Sequence, residues 1–97
     1  MKGNEYIPHP IDTSKTEVPH ELQDLLEKLA QNVHETWSAG RMKEGWTFGS
    51  QRNDELKQHP CLVPYDQLSD SEKGYDRETA LQTLKVILQL GFKISKD

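Results

Sequence analysis

The apolar residues of the chain fall into two separated helical patterns. In the first, apolar side chains recur every three or four positions from residue 20 onward, which places them on one face of a helix. Pro19 is suited to the first helical position, and Gly45 is suited to the end. The residues on this face are Leu22, Leu25, Leu26, Leu29, Val33 and Trp37. We therefore predict one long amphipathic helix over residues 20–44.

The second pattern occupies the last third of the chain. Residues 69–72 read Ser-Asp-Ser-Glu, which matches a capping box and predicts a short helical turn. We expect Asp76 to cap a second main helix and Gly91 to end it in the left-handed conformation. The apolar face of this helix contains Ala80, Leu81, Leu84, Ile87 and Leu88. Phe92 and Ile94 should then form a brief strand or a tail.

The segment between the two helices has a mixed pattern. Residues 46–49 form a short β-type run that ends in glycine, and residues 50–58 are mostly polar. Residues 59–65 have an apolar centre between Pro60 and Pro64. Because proline cannot donate a hydrogen bond to a sheet, this stretch is at most a short edge strand.

These elements predict a mainly α fold with small β pieces. Two amphipathic helices would bury their apolar faces against each other as an antiparallel pair, with the segment 45–68 over one end. Residues 1–18 read as an extended lead-in packed on the helices. A chain of 97 residues buries roughly 65% of its unfolded surface, which allows one modest core and a single domain over residues 1–97.

Composition and charge exclude several classes of function. The chain has 12 Lys and Arg against 16 Asp and Glu, so it has no basic excess of the kind that duplex nucleic acid binding requires. One cysteine allows no internal disulfide and fits a reducing, cytoplasmic setting. No run of about 18 apolar residues occurs, so we expect no membrane span.

The candidates for catalytic or metal chemistry are weak. His34-Glu35 lacks the second histidine of a zinc protease motif, because position 38 is Ser. We predict no metal or cofactor, and a hydrogen bond from His34 to a carbonyl or to solvent. Cys61 follows His59 by two residues, but a small buried thiol is the expected role. We find no nucleophile, base and orienting group together, and therefore predict no enzyme.

The most distinctive segment interleaves aromatic and basic residues. Trp37 and Arg41 are four apart on the predicted helix, and Trp46, Phe48 and Arg52 follow. Aromatic rings and planar cations suit a small anionic, nucleotide-like molecule that stacks on indole and pairs its phosphates with arginine. The alternative is that both tryptophans fill the core and that Arg52 forms a surface salt bridge. The spacing leaves both interpretations open.

Several motifs, taken in order, resemble a known family. They are YIPHPIDTS at 6–14, LAQNVHETW at 29–37, Arg41, GWTFG at 45–49, Arg52-Asn53-Asp54, Lys57, HPCLVPY at 59–65, EKGYDR at 72–77 and TLKVILQLGF at 83–92. Together they are similar to the RyR domain, the repeat found in tandem in the cytoplasmic shell of ryanodine receptor calcium-release channels. The resemblance covers residues 5 to 94, and this chain looks like a free-standing copy of the bacterial and phage type.

The resemblance implies a non-catalytic module of helices and short strands. For the family, a site for adenine nucleotides has been suggested in the cleft between paired repeats, and it maps here onto Trp37, Arg41, Trp46 and Arg52. An interaction module is the second function class that we consider. Its exposed aromatic residues would dock on another protein or on a second copy, and a homodimer would then imitate the tandem pair. No acidic loop of the calcium-binding type occurs, so we predict no calcium site.

Overall fold

The computed structural model describes residues 5–97, and its fold is mainly α with small β pieces, as predicted. The elements in chain order are α1 (His20–Gln23), α2 (Leu26–Lys43), β1 (Thr47–Phe48), β2 (Gln58–His59), a 3₁₀ helix (Tyr65–Gln67) and α3 (Asp70–Gln89). Within the part of the chain described, no helix has the length and apolar character needed to cross a membrane.

The single helix predicted over residues 20–44 is interrupted near its start. Helix α1 ends at Gln23, and a turn at Asp24 and Leu25 precedes α2. The Leu25 amide donates to the Leu22 carbonyl at 3.0 Å, which closes the turn. The Leu25 side chain is 43% exposed, so this leucine contributes little to the shared apolar face that predicted one continuous helix. The predicted end is confirmed, since α2 stops at Lys43 and Gly45 has a φ of 95°.

Helix α3 is longer than predicted. The Ser69 hydroxyl accepts a hydrogen bond from the Glu72 amide at 3.2 Å, so the serine cap of the predicted capping box is confirmed. The helix continues from Asp70 to Gln89 without a break, and the prediction that Asp76 caps a separate helix is therefore wrong. Asp76 lies inside the helix because the cap at Ser69 has already started it. Gly91 follows with a φ of 98°, as expected for the stop.

The two short strands form a parallel pair. Thr47 lies opposite Gln58, and Phe48 lies opposite His59. The predicted strand after Gly45 is thus present, whereas the possible edge strand over residues 59–65 is reduced to its first residue. Pro60 has no amide hydrogen to continue the ladder, which explains why β2 ends at His59.

Helices α2 and α3 pack together in opposite directions. Glu27, near the start of α2, forms an ion pair with Arg77. Trp37 comes ten residues later on α2 and shares a pocket with Glu72, which is five residues earlier on α3. The antiparallel pairing predicted from the two apolar faces is therefore confirmed. The buried cluster contains Ala30, Tyr65 and Leu68, with Cys61 and Val63 packed against it.

The lead-in contacts α3 along its second half. The Thr13 hydroxyl donates to the Gln82 side-chain oxygen at 2.7 Å, and the Thr16 hydroxyl donates to that of Gln89 at 2.7 Å. Thr13 is 5% exposed, so the first of these hydrogen bonds is shielded from water. Residues 5–12 remain exposed, which leaves Ile11 at 51%.

Candidate functional site

A pocket of about 240 Å³ lies where α2, α3 and the segment after β2 meet. We call it the central pocket, and its lining residues are His34, Trp37, His59, Cys61, Leu68, Glu72 and Asp76. Helix α2 supplies two of them three positions apart, and α3 supplies two of them four positions apart. These are the spacings that place side chains on one face of a helix, so both helices direct a pair of side chains to the same space.

Aromatic rings form one side of the central pocket. The rings of His34 and Trp37 are stacked, with centroids 5.8 Å apart and planes at 28°. His59 meets Trp37 edge to face at 5.0 Å. Trp37 is half-buried, so its indole is held on one side and accessible on the other. A planar ring entering the central pocket would find a fixed aromatic surface.

Arg41 lies beside Trp37, as their spacing of four on a helix predicted, and it also contacts Trp46. Its guanidinium carbon is 5.0 Å from the ring centroid of Trp46 and 5.9 Å from that of Trp37, both within cation–π range. The Arg41 side chain is 36% exposed, and Glu44 is 3.9 Å away. Trp46 itself is only 9% exposed. Three of the four predicted site residues are therefore together, but Trp46 is packed in the interior.

Arg52 is the fourth predicted site residue, and it lies on the outer side of the site. Its side chain is 60% exposed, and its Nε donates to Asp54 at 2.9 Å. It is close enough to His59 for its charge to act there. The pKa of His59 is lowered by burial first, and then by the positive charges of Arg52 and Arg41. His59 is therefore neutral near pH 7. It lies between the central pocket and the cations Arg41 and Arg52.

The two histidines of the central pocket have defined hydrogen bonds. His34 is 3% exposed, and its Nε2 lies 2.6 Å from the Val63 carbonyl oxygen, as expected for a helix histidine bonded to a carbonyl. A carbonyl only accepts, so Nε2 carries the proton and Nδ1 is the free acceptor in the neutral ring. In His59, Nδ1 accepts from the Cys61 amide at 3.0 Å, which leaves Nε2–H as a donor.

The opposite side of the central pocket is acidic. Burial raises the pKa of Asp76, and the nearby Glu72 charge adds to this effect while His34 opposes it. Burial also raises the pKa of the Cys61 thiol, again with help from Glu72. Cys61 therefore stays a thiol at neutral pH and is a poor nucleophile. Within residues 5–97, no three potential ligands are grouped closely enough to hold a metal ion.

Sequence reasoning did not identify Glu72 and Asp76 as site residues. The sequence placed both residues at helix starts, Glu72 as the last residue of the Ser69–Glu72 capping box and Asp76 as a cap. The available signal was their spacing of four on what is one continuous helix, which puts two carboxylates on the face that meets α2. That signal becomes visible only when the helix is known to begin at Asp70.

The fold and the pocket define a small, mainly helical domain with an aromatic and acidic pocket between antiparallel helices. The family model described as the RyR domain matches residues 6–96, nearly the whole chain. The chain therefore belongs to the RyR domain family, as the motifs along the sequence indicated.

Proposed function

We propose that this RyR domain binds a small nucleotide-like molecule without converting it. The ring of the ligand lies against Trp37 in the central pocket, and its anionic group pairs with Arg41 and Arg52. The observation that carries the proposal is the pairing of the half-buried Trp37 indole with the Arg41 guanidinium, 5.9 Å from the ring centroid. Stacking of a base on an aromatic side chain contributes about 1–3 kcal/mol, and arginine adds charge-assisted hydrogen bonds to phosphate.

The size of the central pocket supports a ligand with two parts. Its volume of about 240 Å³ is below the roughly 300–1,000 Å³ of pockets that enclose a whole drug-sized molecule. A planar ring fits this space, and the rest of the ligand would extend to the rim. Arg41 lies beside Trp37 and Arg52 acts on His59, and their side chains are accessible, at 36% and 60%.

Absence of turnover is part of the proposal. The raised pKa of the Cys61 thiol argues against nucleophilic attack from inside the central pocket. The His59 ring is oriented by a hydrogen bond that its Nδ1 accepts from the Cys61 backbone amide. This bond does not activate a nucleophile. A free cysteine also fits the cytoplasmic setting that we expect.

Titration with AMP tests this function. AMP at a hundred times its dissociation constant should stabilise the domain by about 2.7 kcal/mol. Arg41→Gln should weaken AMP binding about tenfold, because it removes a charge-assisted contact. Trp37→Leu should weaken it by a similar factor. Trp37 is the tryptophan to substitute in this test, because Trp46 is buried and its loss would affect the fold.

Lys43→Gln is the matched control for Arg41→Gln. Lys43 is exposed in the last turn of α2, so the variant removes the same charge from the same region. We expect its AMP affinity to stay within about twofold of wild type. Equal losses of AMP affinity in Arg41→Gln and Lys43→Gln would show that Arg41 acts only through the overall charge of the domain. No binding of AMP at millimolar concentration would refute the proposed function.

The alternative function is a protein-interaction module. It is favoured by the surface of the chain, whose accessible area is 7859 Å² against about 5,700 Å² expected for a monomer of 11.2 kDa. The excess is larger than the roughly 800 Å² that one partner buries in a standard interface. Exposed aromatic and aliphatic side chains contribute to it, among them Phe92 at 66% and Leu90 at 64%.

A further inference from the structure

The central pocket contains polar groups that stacking and phosphate pairing leave unused. They are His34, Glu72 and Asp76, and we call them the polar wall. His34 uses its Nε2 proton on the Val63 carbonyl, and its Nδ1 has no hydrogen-bond partner among residues 5–97. No side-chain polar atom that is completely buried there lacks a partner, so this Nδ1 is not sealed off. Because His34 lines the central pocket, we infer that Nδ1 is reached from there.

The Asp76 carboxylate of the polar wall also lacks a donor, whereas Glu72 is exposed and lies within reach of the Cys61 thiol. Glu72 and Asp76 are one helical turn apart, a spacing at which like charges repel. Within the described chain, Asp76 takes part in none of the ion pairs or side-chain hydrogen bonds. Burial raises its pKa, which means that the surroundings compensate its charge poorly. The protein thus leaves two hydrogen-bond acceptors at one pocket without a donor, the Asp76 carboxylate and His34 Nδ1.

We propose that the polar wall makes the central pocket specific for a ring that carries an amino group. The exocyclic N–H groups of such a ring would donate to the Asp76 carboxylate and to His34 Nδ1. The Nε2–H of His59 is left to donate to a ring nitrogen. A ring without the amino group leaves these acceptors desolvated and unpaired, which a binding site penalises. Asp76 and His34 are then specificity-determining residues, and this inference rests on the proposed function.

The test compares AMP with purine riboside 5′-monophosphate, which lacks only the amino group. Phosphate and sugar are the same in both probes, so contacts to Arg41 and Arg52 cancel in the ratio of their affinities. We expect AMP to bind at least about tenfold more tightly. Asp76→Ala should reduce this ratio to less than about threefold by weakening AMP alone. Alanine is a strong helix former, so the variant should keep α3 intact.

Two further variants separate recognition from structure. Asp76→Asn keeps an acceptor oxygen and should retain most of the preference for AMP, whereas a general distortion of α3 would weaken both probes equally. Asp70→Ala removes an acidic residue from the exposed first turn of α3 and should leave the ratio unchanged. Equal affinity of the wild type for both probes would overturn the inference and leave the proposed function standing. An unchanged ratio in Asp76→Ala would also overturn it, and binding of neither probe would overturn both.

Discussion

Trp46 and Phe48 lie two residues apart, and their surroundings differ sharply. Trp46 is 9% exposed and contacts Arg41 and His59, whereas Phe48 is 57% exposed. We predict that Trp46→Ala destabilises the domain by about 3–5 kcal/mol, because it removes a large buried ring. Phe48→Ala should cost less than about 0.5 kcal/mol. Thermal unfolding should show a shift of at least about 12 °C for the first variant. Similar shifts in both variants would contradict the placement of Trp46 in the interior and Phe48 at the surface.

The carboxyl group of Asp76 should make stability depend on pH. Burial and the Glu72 charge raise its pKa above the ordinary value of 3.8, and His34 partly offsets this. Because the folded pKa exceeds the unfolded one, the neutral carboxyl stabilises the fold fully below about pH 3.8, and this contribution is lost as the pH rises through the folded pKa. Asp76→Asn stays neutral throughout.

Urea unfolding at several pH values measures this effect. We expect Asp76→Asn to match the wild type near about pH 3.5 and to be more stable than the wild type at neutral pH. A gain in stability on removal of a site residue is typical of positions that serve binding at the expense of the fold. A variant that is less stable at neutral pH would show that the Asp76 charge is compensated after all.

Part of the candidate site was predictable from local spacing alone. The approach of Arg41 to Trp37 follows from residues four apart on a helix, and the carbonyl bond of His34 follows from the usual needs of a buried histidine. The burial of Trp46 and the role of Asp76 were not predictable in this way. Both depend on which element packs over the residue, and that is a property of the folded chain.

Short-range sequence signals predicted the ends of the helices well and their continuity poorly. Gly45, Ser69 and Gly91 were correctly identified as ends because each acts through its own backbone or through a hydrogen bond three residues away. The break at Leu25 was not predicted, since the leucine pattern alone does not reveal which leucines find partners. The same applies to Asp76, whose cap-like character is overridden by the helix that begins before it.

Two glycines at the end of α2 should respond in opposite ways to alanine. Gly40 lies inside the helix, and a Cβ there would meet no atom within 4 Å, so Gly40→Ala should stabilise by about 0.5–1 kcal/mol. Gly45 has a φ of 95°, so Gly45→Ala should destabilise by about 1–2 kcal/mol. Thermal unfolding of the two variants side by side measures both signs. A loss of stability in Gly40→Ala would show that α2 needs glycine there for packing.

The chain is more open than its length implies. Its radius of gyration is 16.4 Å, against about 13 Å for a compact domain of 100 residues. The antiparallel helix pair followed from two apolar faces, but the openness did not follow from composition. The lead-in contributes to this openness, because residues 5–12 are exposed and it contacts α3 through side-chain hydrogen bonds such as that between Thr16 and Gln89.

The end of α3 presents an apolar surface formed by Ile87, Leu90 and Phe92. These side chains are 37%, 64% and 66% exposed, and the Phe92 amide donates to the Ile87 carbonyl, which holds the tail beside the helix. Covering this surface with the same surface of a second copy would bury apolar area on both sides. Such a two-fold contact is the commonest route to a dimer.

We predict that the domain self-associates through this surface as its concentration rises. Light scattering should show a mass that increases from 11.2 kDa toward twice that value. The double variant Leu90→Ser, Phe92→Ser should remain monomeric. Leu56→Ser is the control, because Leu56 is 65% exposed but lies in the loop between the strands. A wild-type mass that stays at the monomer value would exclude the homodimer. If Leu56→Ser also remained monomeric, the dimer contact would not be specific to the end of α3. Since the proposed AMP site consists of the central pocket with Arg41 and Arg52, Leu90→Ser, Phe92→Ser should bind AMP as the wild type does.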